Sequence, residues 1–80
     1  MTAYSTLSSR WEFDPEALLR VLRRDYGGSW QLMEDATGIP SATLRRWVSH
    51  GQQPRCDYLA QLAHETNRTM ASFMRPSTRI

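Results

Sequence analysis

The chain has 80 residues, a formal net charge of +2 and a single cysteine, Cys56. That length predicts one small domain that buries a modest fraction of its surface. A lone thiol excludes an internal disulfide, no apolar run is long enough to span a membrane, and residues 1–10 lack the pattern of a secretory signal.

All ten basic residues are arginine. Arginine suits bidentate binding to phosphate and guanine, although a GC-rich genome produces the same bias. From Ala36 to Cys56 there is no acidic residue, while Arg45, Arg46, His50 and Arg55 fall in or beside that stretch. Such asymmetry favours a polyanion on the face they occupy.

Residues 1–10 are small and polar and read as a flexible arm. Helix 1 opens with Asp14 as N-cap, Pro15 in the first turn and Glu16 near the positive helix end. Phe13 and Leu18 are spaced as a hydrophobic staple. Ala17, Leu18, Val21 and Leu22 make the buried face, with Leu19 beside it; Arg20, Arg23 and Arg24 lie outside. Trp11 is expected to pack against the bundle, and Tyr26-Gly27-Gly28 ends the helix.

Helix 2 is expected over 30–37, capped by Ser29, with Leu32, Met33 and Ala36 facing the core and Glu34 and Asp35 solvated. Neighbouring residues point about 100° apart on a helix, so these two carboxylates do not form an acid–base pair. Gly38-Ile39-Pro40 makes a turn, since glycine takes the left-handed conformation and proline opens a new helix. Helix 3 follows over 41–49. Leu44, Trp47 and Val48 form its apolar stripe. Ser41, Ala42, Arg45 and Ser49 form the opposite face, small and polar around an arginine, as the major groove of DNA admits.

The loop 50–54 is either a plain polar turn or a phosphate contact through Gln52, Gln53 and the Gly51 amide. Helix 4 is expected over 55–66, with Leu59, Leu62 and Ala63 inside and Tyr58 at the edge. Asn67 ends it, Thr69 caps a fifth helix over 70–74, and residues 75–80 form a tail. Met70, Phe73 and Met74 are expected first to close the core and also to form a dimer seam.

Gly38-Ile39 at the turn, Leu44 and Trp47 on the stripe, Arg46-Trp47 followed by Gly51 and Pro54, and then Leu59, Leu62 and Ala63 occur at a joint spacing. On these residues the stretch from Leu18 to Phe73 resembles the Xre-like family of phage repressor and Cro-like helix-turn-helix proteins. Three departures stand out. Glu34 replaces the alanine usual where the two helices cross, which predicts a shifted or rotated helix 2. Trp30, with Gln31 after it, replaces a phosphate-touching glutamine. Thr66 and Arg68 stand where the family is apolar.

The resemblance implies an all-α, compact five-helix lambda-repressor-like domain over 11–74. It implies a sequence-specific double-stranded DNA-binding regulator, a repressor of a phage, prophage or mobile-element operon that can include its own gene. It further implies a cytoplasmic, nucleoid-associated homodimer on an inverted-repeat operator, with no cofactor and no small-molecule ligand. Base contacts are then expected from Ser41, Ala42, Arg45 and Ser49. Phosphate contacts are expected from Gln31, Thr43, Arg46, Gln52, Gln53 and Arg55, and the dimer interface from Met70, Phe73 and Met74. The alternative is a protein-interaction module on the same fold, such as an antitoxin-like neutraliser. No glycine-rich phosphate loop or nucleophile motif points to an enzyme, and Cys56, His50 and His64 lack the spacing of a zinc site.

Overall fold

The structure, a computed structural model, describes residues 11–77. In order these form β1 (Trp11–Phe13), α1 (Pro15–Tyr26), α2 (Trp30–Thr37), α3 (Ser41–Ser49), α4 (Cys56–Glu65), a 3-10 turn (Met70–Phe73) and β2 (Met74–Pro76). The described residues are thus mostly helical, with four α-helices and one two-stranded antiparallel ribbon. The expected arm over residues 1–10 lies outside the described residues, as do residues 78–80 of the expected tail.

Local chemistry sets the helix ends. The Asp14 carboxylate accepts the Glu16 N–H at 3.0 Å, and the Ser29 hydroxyl accepts the Leu32 N–H at 3.2 Å. Each satisfies an amide that the first helical turn leaves without a partner. Asn67 takes the left-handed conformation with φ 59° after α4.

The core gathers the inner faces of all four helices with Phe13, Ile39 and Phe73. Leu18, Met33, Ile39, Leu44, Leu62 and Phe73 are fully buried. Trp47 sits edge-to-face between Phe13, at 5.9 Å, and Tyr58, at 5.8 Å between ring centroids. It therefore ties α3 to β1 on one side and to α4 on the other.

Several sequence expectations are corrected. The fifth helix is a single 3-10 turn that leads directly into β2. Phe73 is buried and its carbonyl accepts the Asp14 N–H at 2.8 Å, which carries the chain alongside β1 instead of into another helical turn. β2 pairs Met74 with Phe13, Arg75 with Glu12 and Pro76 with Trp11, and Arg75 Nε donates to the Glu12 carboxylate at 2.7 Å. Arg75 and Pro76 are accordingly strand, not tail. Trp11 does not pack into the bundle; it lies on this ribbon, 50% exposed.

Helix α2 is rotated from its expected orientation. Leu32 is 54% exposed and Ala36 is exposed, while Met33 and Thr37 are buried and Trp30 packs at the edge of the core. A buried threonine is tolerated because its hydroxyl donates to the Met33 carbonyl at 2.7 Å and accepts the Ile39 N–H at 3.3 Å. Thr66, also buried, donates to the Leu62 carbonyl at 2.7 Å. Arg68 binds Asp25 at 2.8 Å and the Thr66 carbonyl at 3.0 Å. The two polar residues after α4 are thus both satisfied. Beside this pair, partial burial and the Asp25 charge push the Tyr26 phenol above its ordinary pKa. No helix among the described residues is long and apolar enough to cross a membrane.

Candidate nucleic-acid interface

The α2–turn–α3 unit is held rigid at its turn. Gly38 adopts φ 75° and donates its N–H to the Glu34 carbonyl at 2.8 Å, closing α2. Ile39 is buried, and the Gln61 side-chain amide of α4 donates to the Thr37 carbonyl at 2.7 Å. A Cβ on Gly38 would lie 3.0 Å from that same amide nitrogen. Glycine is favoured at this position by the left-handed backbone, and a larger residue would also push the Gln61 amide aside.

Pro40 is the N-cap of α3 and has no side-chain acceptor to offer. The acceptor comes from α2 instead: Glu34, half-buried, takes the Ser41 N–H on its carboxylate at 2.8 Å. The expectation that Glu34 is merely solvated is thereby corrected. Its charge sits at the positive end of the α3 dipole, where a carboxylate is favourable. Glu34→Ala should lower stability by about 0.5–2 kcal/mol, the usual loss for a missing helix cap. Glu34→Gln should recover part of it, because the amide oxygen still accepts. Thermal melting of the two variants decides this: an alanine variant as stable as the parent would mean that the cap contributes nothing.

Leu44 and Trp47 turn the inner stripe of α3 into the core, with Val48 half-buried beside them. Opposite them, Ala42, Arg45, Arg46 and Ser49 are exposed, and Ser41 and Thr43 are half-buried. Neither Arg45 nor Arg46 has an ion pair among the described residues. Asp35, a possible partner for Arg45, instead accepts from the Gln31 side chain at 3.0 Å. The Ser49 hydroxyl donates to the Arg45 carbonyl at 2.8 Å, which commits its proton within the helix.

The flanking candidates are more engaged. Gln53 accepts the Phe13 N–H on its side-chain oxygen at 2.8 Å, and so pins the loop after α3 to β1. Gln52 is exposed. Arg55 pairs with Asp57 at 3.3 Å with both side chains exposed, a link worth about 0–1 kcal/mol and readily exchanged for another anion. Of the expected dimer residues, Phe73 is 0% exposed and cannot belong to a seam. Met74 is half-buried against the core, and Met70 remains 36% exposed. No group of three His, Cys, Asp or Glu side chains able to hold a metal occurs among the described residues.

The residues that position α3 without touching its outer face, Glu34, Thr37 and Gln61, have no periodic signature. Pro40 leaves the start of α3 without a side-chain acceptor, but Asp35 and Glu34 both precede the turn glycine within about one helical turn, and nothing local chooses between them. Comparison with protein-family models, curated proteins and solved structures returns no match.

Proposed function

We propose that this chain is a sequence-specific double-stranded DNA-binding regulator of transcription, acting as a repressor in the cytoplasm. The α2–turn–α3 unit serves as the helix-turn-helix of a lambda-repressor-like domain, and α3 enters the major groove. The observation that carries this reading is the outer face of α3. It is exposed, free of acids, and presents Arg45 and Arg46, which have no ion pair among the described residues, from a helix locked to the core by Leu44 and Trp47. One such unit covers a half-site, so a homodimer on an inverted repeat with half-sites roughly 34 Å apart is the expected assembly.

Arg45 is assigned to reading and Arg46 and Arg55 to holding. Arginine pairs best with the O6 and N7 of guanine. Arg45→Ala should therefore cost about 1–3 kcal/mol on the selected operator and relax the preference at one base pair. Arg55→Ala should weaken all sequences alike and lower the salt slope by about one unit. The experiment is selection of bound genomic fragments, followed by anisotropy titrations of both variants on operator and scrambled duplex over a salt series. Equal losses on both duplexes would reassign Arg45 to the backbone.

The Glu34 carboxylate favours a second reading, a protein-interaction module such as an antitoxin-like neutraliser. It occupies the positive end of α3, where a phosphate would otherwise be attracted. Absence of any mobility shift at low salt on the region upstream of the gene would select this reading.

A further inference from the structure

A second basic feature lies away from α3. Arg20, Arg23 and Arg24 of α1 converge with Arg68, which follows α4, around a cleft of about 440 Å³. Ala17 and Val21, both nearly buried, line its apolar part, and Ser72 of the 3-10 turn also borders it. No residue of α3 borders it.

The charges here are incompletely neutralised. Arg23 and Arg24 are exposed and have no ion pair among the described residues. Arg20 is 3.9 Å from Asp14, but that carboxylate is shared with Arg75, which comes to 3.6 Å. Arg68 is the exception: Asp25 and the Thr66 carbonyl fix its guanidinium in place. Placing Arg23 and Arg24 in the last turn of α1 complements the helix dipole, which accounts for those two alone. It does not account for Arg20 one turn earlier, nor for Arg68 arriving from 44 positions along the sequence after Arg24 to the same cleft.

We infer that this cleft binds a compact ligand carrying two or more phosphate groups. Guanidinium forks match phosphate oxygens in pairs of hydrogen bonds, and several forks around one concavity suit closely spaced phosphates better than a single carboxylate. The site is separate from the outer face of α3 and does not rest on the DNA-binding reading. It adds a small-molecule partner that the family resemblance does not imply.

The test uses the full chain and inorganic triphosphate at a fixed ionic strength of about 0.15 M, where diffuse surface attraction is screened. Calorimetry should give saturable one-to-one binding, and the amide resonances of Arg20, Val21, Arg24, Arg68 and Ser72 should move. The double variant Arg20→Gln/Arg24→Gln, altered only at exposed helix positions, should weaken binding about tenfold or more, as loss of charge-assisted hydrogen bonds does. Arg45→Gln/Arg46→Gln, of equal charge, should change it less than about twofold, because those charges lie outside the cleft. Non-saturable binding, or equal losses in the two double variants, would overturn the proposal and leave only general cation attraction. So would scrambled duplex DNA that moves the same amides and loses as much affinity in Arg20→Gln/Arg24→Gln. The cleft would then be a contact for the nucleic-acid backbone.

Discussion

Trp47→Ala should cost about 3–5 kcal/mol of folding stability, the range for removing a large aromatic side chain from a core. Trp47 is 2% exposed and stands between two aromatic rings, so its loss opens space that Phe13, on a pinned strand, and Tyr58, on α4, cannot both fill. A chain of 80 residues has about 4–12 kcal/mol in total at typical values, so the variant should be close to unfolding at room temperature. Urea denaturation followed by far-ultraviolet circular dichroism measures this. Trp47→Phe separates the components, since it keeps an edge-to-face contact worth about 0.5–1.5 kcal/mol and loses mainly volume. An alanine variant with a near-parental midpoint would place Trp47 on the surface and turn the outer face of α3 elsewhere.

Phe73→Ala should be comparably severe, about 3–5 kcal/mol, because the ring is fully buried in the shared core. The backbone bond from the Asp14 N–H to its carbonyl would remain possible, so the loss reports on packing. The same experiment decides between core and seam. A core residue lowers the melting temperature equally at all protein concentrations. A seam residue would make the difference between variant and parent depend on concentration, as mass action requires. A concentration-dependent gap would contradict the burial seen here.

The helices were legible where the sequence carries local signals. Asp14-Pro15 and Ser29 mark two starts, Gly27 and Gly38 mark two ends, and the stripe of Leu44 and Trp47 orients α3. These devices act within a few residues, so a linear reading can find them. Glu34 signalled a shifted or rotated α2, but which residues turn inward was hidden, because hydropathy favours Leu32 and Ala36 over Thr37. Only the hydrogen bonds of the Thr37 hydroxyl reveal why it is inside. The strands were hidden for a different reason. Each is three residues long, and their pairing links Glu12 to Arg75 across 63 positions, with no alternation long enough to register.

In the interface region, the outward residues of α3 could be named from periodicity alone. What could not be read were contacts between polar side chains and distant backbone: Glu34 to Ser41, Gln61 to Thr37, and Gln53 to Phe13. Each serves a backbone group that a neighbouring element leaves unsatisfied, and nothing in a glutamine or a glutamate announces which group it will meet. Gln53 shows the consequence. As a residue in a polar loop it reads as a phosphate donor; its oxygen is in addition committed to β1, which the sequence did not announce.

The ribbon of β1 and β2 also determines how the domain would respond to force. Trp11 stands opposite Pro76, so a pull applied through the segments before and after them acts at one end of an antiparallel pair. Strands loaded in that way peel apart one rung at a time; they do not share the load across all rungs as sheared strands would. Glu12 and Arg75 form the second rung and Phe13 and Met74 the third, after which tension reaches Asp14 and the start of α1. Stretching should therefore open the domain from its ribbon inwards at low force, with α2 and α3 among the last parts to be loaded.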